Sequence, residues 1–169
     1  MRKVAAFLAL LAVSACSSEP EQPSQPASPN DWLLSAKDDA ARFEALQKQL
    51  RGFDQPMWEV GERFERLHGA LLRGNHALAA YHWEKIRTTI ENGIAKRPKR
   101  AANAKALFLD PVWADVDAAL KSDDRAKVWA AFDRAKAACM ACHVAEKVEF
   151  MNNQPVFDFT SPSAGDKPS

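Results

Sequence analysis

The sequence is poor in the residues that define several large classes of protein. Its 169 residues include 3 cysteines, too few for a disulfide scaffold, and 6 glycines, too few for a collagen-like or turn-rich β protein. Basic and acidic side chains number 23 and 22, so the basic excess typical of nucleic-acid binding is missing. These absences indicate one domain of ordinary size that does not bind nucleic acid.

The first fifteen residues are typical of an export signal. Two basic residues precede the apolar run 4–13, which is about half the roughly 20 residues that a membrane-spanning helix needs. The run leads into Val13-Ser14-Ala15-Cys16, which resembles the lipobox cut by the bacterial lipoprotein signal peptidase. We therefore predict a signal peptide over 1–15 and a lipidated Cys16, anchored in the inner or outer membrane on the periplasmic side. An ordinary secretory signal cut near Ala15 is the alternative.

Two segments rich in proline and polar residues flank the domain. Prolines recur at every third position from Pro20 to Pro29, which favours an extended polyproline II tether over 16–30. At about 3.1 Å per residue, the tether holds a domain roughly 40 Å from Cys16. Residues 152–169 are predicted to be a flexible tail, which leaves the folded domain over 31–151.

Apolar residues of this domain recur at spacings of three and four, the period of helices that are buried on one face. The first seam runs from Trp32 to Leu50 after a capping Asp31, and it defines an extra N-terminal helix. Start signals for four further helices lie at Asp54, Gly74-Asn75, Asp110-Pro111 and Ser122-Asp123. The sequence therefore predicts an all-α fold, an antiparallel four-helix bundle with an extra N-terminal helix.

One motif near the end of the last predicted helix carries chemistry. Cys139-Met140-Ala141-Cys142-His143 has the spacing for covalent attachment of c-type haem. Each thiol adds to one haem vinyl group, and the adjacent imidazole reaches the iron as an axial ligand. Spacings of three and four place Cys139, Cys142 and His143 on one helix face, which is also the apolar seam. We predict one covalent haem near the end of this helix.

Other interpretations of this motif fit less well. A redox-active disulfide is expected in a thioredoxin-like βαβ context, which is missing. A structural zinc site needs a fourth ligand, and the chain has no second cysteine pair. Chance is disfavoured because two of the 3 cysteines and one of the 4 histidines fall within this one motif. Export agrees with haem, since bacteria attach c-type haem outside the cytoplasm.

The motif and the helical pattern together resemble a known class. A bundle with Cys-x-x-Cys-His near the end of its last helix is similar to the class II, or cytochrome c-prime-like, cytochromes, and closer still to a family of small bacterial c-type cytochromes. The resemblance covers roughly residues 45–155. It rests on Leu50-Arg51-Gly52-Phe53-Asp54, Gly74-Asn75, Leu78-Ala79-Ala80-Tyr81, Asn92-Gly93, Arg97-Pro98-Lys99-Arg100-Ala101-Ala102 and residues 138–148. It implies covalent haem and an electron-transfer or haem-binding role, with no established substrate.

The up-down-up-down topology predicts the other side of the iron. The last helix ends where the first bundle helix begins, and there Met57, Val60 and Phe64 form the apolar seam. Met57 is therefore the predicted sixth ligand, and core packing beside five-coordinate iron is the alternative. Met151 is a weaker candidate ligand. The remaining histidines are expected to be surface or structural residues: His68, His76 and His82.

A basic loop, residues 96–100, is expected at the same end of the bundle. Haem carries two propionates and arginine pairs well with carboxylates, so Arg97 and Arg100 are candidate propionate contacts. The other charges of the loop are expected to dock a redox partner, and a solvated charge run is the alternative. Trp58 and Trp113 begin helices at this end and are candidate walls of the haem site, with ordinary core packing as the alternative.

Two functions remain open from the sequence. In the first, the protein is a one-electron carrier with six-coordinate iron and a redox partner protein. In the second, five-coordinate iron binds or senses a small gas such as NO or CO. A peroxidase-like enzyme is disfavoured because no histidine lies near enough to act as a distal acid–base group, so no catalytic reaction is expected. The extra N-terminal helix either covers the bundle or mediates a homodimer.

Overall fold

The structure is a computed structural model that describes Ser28 and residues 30–162. Its helices are α1 (Asp39–Gln49), α2 (Asp54–Leu72), α3 (His76–Lys96), α4 (Ala101–Ala104), α5 (Trp113–Leu120) and α6 (Arg125–Ala145). Short 3-10 turns at Pro98–Arg100, Glu149–Asn152 and Pro155–Phe157 and a π-helical turn at Lys105–Leu109 accompany them. No β-strand occurs in this described part, so the all-α prediction is confirmed.

The chain divides into two compact units between Arg42 and Phe43, and α2 to α6 lie in the second. The predicted signal peptide, Cys16 and all of the tether except Ser28 and Asn30 lie outside the described residues. Within those residues, none of the helices combines the length and the apolar character needed to cross a membrane.

The N-terminal helix is shorter than predicted. Turns and bends occupy the chain up to Asp38, whose Oδ1 accepts a hydrogen bond from the Ala41 amide at 2.7 Å and caps α1. Asp31, the predicted cap, instead accepts from the Ser28 amide at 2.6 Å. No residue of α1 is buried, and Phe43 is 68% exposed. The predicted apolar seam of this helix is therefore not a buried one.

The turn between α2 and α3 follows the sequence closely. Gly74 has a φ of +66°, and its amide donates to Leu71 O at 3.0 Å while the Asn75 amide donates to Ala70 O at 2.9 Å. This pattern is a Schellman motif, in which glycine takes the left-handed position at no steric cost. Asn75 Oδ1 then accepts from the Leu78 amide at 3.0 Å and starts α3. The predicted stop and start are confirmed, and α3 packs along α2.

The core is made from the predicted seams of α2, α3, α5 and α6. Its largest fully buried side chains are Trp83, Phe132, Leu67, Ile86, Leu120, Val116 and Val128. Trp83 Nε1 donates to Trp113 O at 3.1 Å, which ties α3 to the start of α5. The rings of Phe64 and Phe132 stack at 4.7 Å between α2 and α6. Seam residues at one end, Met57 and Cys139, are only partly buried.

The connection from α3 to α5 is helical where the sequence predicts a loop. The turn Pro98–Arg100 leads through α4 into the π-helical turn, and this path buries Ala104 and Phe108 in the core. As a result α5 begins at Trp113 rather than at Asp110. The start of α6 also differs by one residue, since Asp124 caps it by accepting from the amides of the next turn.

Candidate functional site

A large cavity lies between the first half of α2 and the C-terminal part of α6. Its volume is about 760 Å³, within the roughly 300–1,000 Å³ of ligand and cofactor sites. Its apolar walls include Phe53, Val60, Phe64, Ile86, Ile90, Ala104 and Phe108. The segment after α6 closes one side with Val148, Met151, Gln154, Val156 and Phe157. The molecule therefore offers one large, mostly apolar space beside the cysteine motif.

All three functional side chains of the motif line this cavity: Cys139, Cys142 and His143. Both thiols are free and partly buried. Burial raises the pKa of Cys139 to about 12, and burial also raises the pKa of Cys142 despite the opposing charge of Arg100. Redox-active dithiols instead depress the pKa of a cysteine. These two thiols are protonated at neutral pH.

His143 lies in the last turn of α6, where its ring has a defined partner. Its Nδ1 is 2.8 Å from Asn152 Oδ1, and the Asn152 amide nitrogen donates to Met140 O at 3.2 Å. Because that second bond fixes which end of the carboxamide is oxygen, His143 Nδ1–H is the donor and Nε2 carries the lone pair. The ring of Phe157 packs edge-on at 5.6 Å between centroids. The imidazole is thus prepared to act as a metal ligand through Nε2.

The segment predicted to be a flexible tail packs on the helices. Val156 and Phe157 line the cavity, and the Phe159 ring stacks on His68 at 4.6 Å. Lys136 Nζ donates to Phe159 O at 2.5 Å. The short alternation of apolar residues at 156–159 is the sequence signal for this packing. No comparable local pattern marks Asn152, and the sequence prediction missed it.

Met57 and the cysteine motif come together as predicted from the topology. Met57 lines the same cavity as Cys139, Cys142 and His143, and it is partly buried against the core. Met151 also lines the cavity but is 39% exposed.

The other three histidines lie outside the lining of this cavity. His68 Nε2 is 3.2 Å from Thr160 O, and His76 Nδ1 is 3.3 Å from Leu120 O. His82 is buried, and burial lowers its pKa, with Arg63 and Arg66 adding to the effect. These placements are those of structural residues.

Gly61 lies one helical turn after Met57 and lines the same cavity. A Cβ added to Gly61 meets no side chain or neighbouring segment within 4 Å. At Gly93, by contrast, a Cβ would come within 2.9 Å of the Phe53 ring, so packing requires glycine there. Glycine inside a helix costs roughly 0.5–1 kcal/mol relative to alanine. The protein's own packing does not explain Gly61, whereas a flat group lying in the cavity would.

Of the two arginines predicted to contact the haem propionates, one lines the cavity and the other does not. Arg100 lines the cavity and pairs with Glu146, which also accepts from Asn103 Nδ2 at 2.8 Å. Arg97 is not among the lining residues, and its Nη1 donates to Lys96 O at 2.7 Å. The structure therefore places Arg100, but not Arg97, in the lining of this cavity, and a contact between Arg97 and a propionate stays a prediction.

A second arginine at the cavity is one that the sequence prediction missed. Arg51 lines the cavity, pairs with Asp54 and has a φ of +50°. Its left-handed backbone joins α1 to α2, a conformation that non-glycine residues adopt infrequently. The break at Gly52 indicates a turn in the sequence, but the direction of the Arg51 side chain depends on this unusual φ.

Of the two tryptophans predicted to wall the haem site, one lines the cavity and the other does not. Trp58 lines the cavity and is 72% exposed, so it stands at the mouth. Trp113 is not part of the lining, which corrects its assignment as a wall. Its ring stacks on Trp83 at 6.4 Å between centroids, and the guanidinium of Arg87 lies over it at 4.6 Å. Trp113 instead covers α3.

Comparisons with models of protein families, with curated proteins and with solved structures gave no match to this chain. Among the residues that the structure describes, no group of three or more His, Cys, Asp or Glu side chains is arranged to hold a metal ion. The cavity offers two thiols, one imidazole with a free Nε2 and the two thioethers of Met57 and Met151. These donors determine the chemistry that the cavity can support.

Proposed function

We propose that this chain is an exported c-type cytochrome that holds one covalent haem in the cavity and acts as a one-electron carrier. The observation that carries the proposal is the convergence of Cys139, Cys142, His143 and Met57 on one apolar cavity of about 760 Å³. Cys139 and Cys142 would hold the haem through thioether bonds: the S–H bond and the vinyl π bond would break, and a C–S bond and a C–H bond would form, with no leaving group. When bound, the haem iron supplies reversible exchange of one electron between its ferrous and ferric states.

The composition of the lining supports haem over other cofactors. Apolar side chains from α2, α3 and the π-helical turn make up much of the lining, which suits the apolar faces of a porphyrin. Arg51 and Arg100 line the cavity, each paired with a carboxylate, and the further N–H donors of each guanidinium suit the two carboxylates of haem. No other cysteine among the described residues lies beside the two thiols, which disfavours a structural zinc site built on four cysteines.

The proposal extends to the architecture and to the axial ligands. In it, α2, α3, α5 and α6 form an antiparallel bundle, and the haem lies near the end of α6. His143 Nε2 and Met57 Sδ would hold the iron, and a histidine–methionine pair would raise its reduction potential. Both carboxylates of the lining, Asp54 and Glu146, are paired with arginine. We therefore propose no catalytic reaction.

A second function is favoured by the apolar side chains that follow Met57 on α2. Val60 and Phe64 line the cavity on the same helix as Met57. If Met57 Sδ does not bind the iron, a small gas such as NO or CO is the ligand that this apolar space admits. The protein then acts as a gas sensor or scavenger rather than as an electron carrier.

The location and the partner complete the proposal. We place the protein on the periplasmic side, anchored through lipid on Cys16, with its domain carried by the proline-rich tether. The exposed cations Arg97 and Lys99, beside the cavity residue Arg100, form the docking surface for an acidic redox partner.

The test uses the full chain, expressed with its leader in a bacterium that attaches c-type haem. We expect a Soret band and the added mass of one haem on the peptide that contains Cys139 and Cys142. A low-spin ferrous spectrum that resists CO supports the carrier, whereas a high-spin spectrum that changes readily with CO supports gas binding. A colourless protein without the added mass rejects both.

A further inference from the structure

The side chain of Asn152 bridges two parts of α6. Its Oδ1 accepts from His143 Nδ1 at 2.8 Å, and its Nδ2 donates to the backbone carbonyl of Met140 at 3.2 Å. Both ends of one carboxamide are used, so the amide can neither flip nor rotate without losing a bond. The His143 ring is thereby tied to the backbone of its own helix.

The end of α6 explains how a residue beyond the helix reaches back. The Lys147 amide donates to Val144 O at 3.0 Å and the Val148 amide to His143 O at 2.9 Å, a Schellman motif. Lys147 takes the left-handed position with a φ of +59°. The chain then turns sharply, and the 3-10 turn Glu149–Asn152 returns the last of its residues to the helix.

We propose that Asn152 is the positioning residue of the axial histidine, an inference that rests on the proposed haem function. By accepting Nδ1–H, Asn152 fixes the tautomer with Nε2 free and fixes the orientation of the ring. Partners of this kind also raise the basicity of a ligating imidazole. Because an amide oxygen is neutral, it makes the imidazole a weaker electron donor than a carboxylate partner does. Asn152 therefore holds the reduction potential above the value that an acidic residue would give.

Two substitutions separate this role from a structural one. Asn152→Asp and Asn152→Leu both lose the donor to Met140, but only aspartate keeps an acceptor for His143. We expect Asn152→Asp to favour ferric iron by about tenfold, which is about 59 mV of lower potential for one electron. Asn152→Leu should raise the potential above that of the wild type. If Asn152 acted only through its bond to Met140, both substitutions would shift the reduction potential in the same direction.

The experiment measures the potential of the haem-loaded full chain by spectroelectrochemistry. Asn153→Asp and Asn153→Leu are matched controls, because Asn153 is adjacent and exposed. NMR adds a second measurement: exchange of the His143 Nδ1 proton should be at least tenfold slower in the wild type than in Asn152→Leu.

The inference is overturned if haem stays attached and the reduction potentials of both Asn152 variants shift in the same direction. It is also overturned if those potentials equal the potentials of the Asn153 controls. Absence of haem from the wild type would instead overturn the proposed function.

Discussion

Replacing Gly61 by alanine tests whether haem fills the cavity against α2. A methyl group at this position meets no atom of another segment within 4 Å. On the protein alone, Gly61→Ala should therefore stabilise α2 by roughly 0.5–1 kcal/mol through helix propensity. A group in van der Waals contact with the Gly61 backbone would reverse this sign, because the methyl would occupy the same space.

Two other helical glycines calibrate the measurement. At Gly69 a Cβ meets only the flexible guanidinium of Arg73 at 3.4 Å, so Gly69→Ala reports the propensity gain. At Gly93 a Cβ would lie 2.9 Å from the Phe53 ring and 3.2 Å from Pro56 Cβ, so Gly93→Ala reports a clash. Overpacking of this kind costs roughly 1–3 kcal/mol. In the haem-loaded protein, we expect the free energy of unfolding of Gly61→Ala to be lower than that of Gly69→Ala by that amount.

The assay is denaturant unfolding of the three haem-loaded variants, followed by far-ultraviolet circular dichroism and by the Soret band. If the free energy of unfolding of Gly61→Ala equals that of Gly69→Ala, no group contacts Gly61 in the loaded protein. That result would refute the argument that the cavity is filled on the α2 side, while Gly93→Ala confirms that the assay detects a clash.

Three further predictions concern the ligands and the charges. Met57→Ala should convert a low-spin ferrous spectrum into a high-spin one that binds CO, and unchanged spectra would exclude Met57 as a ligand. Arg100→Gln should lower the reduction potential, because it removes a cation at the cavity and leaves Glu146 without its ion-pair partner. Arg97→Gln should change the potential less. Equal shifts measured by spectroelectrochemistry would contradict the assignment of Arg100 to the cavity. Cys139→Ala should leave a haem attached through a single thioether, visible as a red-shifted absorbance α band and as a haem mass still on the peptide, and unaltered spectra would contradict attachment through Cys139.

The sequence predicts those parts of the fold that depend on local signals. Residue spacing predicts the buried seam of α3 through Trp83, and residue type predicts the cap at Asn75. Both are confirmed. Met57 and His143 line one cavity, which agrees with the helix order expected from the sequence. The length of α1 is not predicted, because its apolar spacing continues through residues that form turns.

Long-range side-chain directions are beyond such signals. Asn152 reaches His143 only because Lys147, which is not glycine, takes a left-handed conformation that ends α6 sharply. Trp113 begins a helix as predicted, yet its ring stacks on Trp83 and does not line the cavity. In both cases a contact between separate segments, which no local pattern marks, accompanies the position of the side chain.

The candidate site is best understood as a part of the core that the protein's own atoms do not fill. The seams of α2 and α6 meet at Phe64 and Phe132, where the rings stack at 4.7 Å. Toward Met57 and Cys139 the same seams continue, but they line a cavity of about 760 Å³ instead of touching. Apolar surface facing such a space is unfavourable unless a group covers it. A covalently held haem would complete this core, and the residues that fold the chain would then also be those that bind the cofactor.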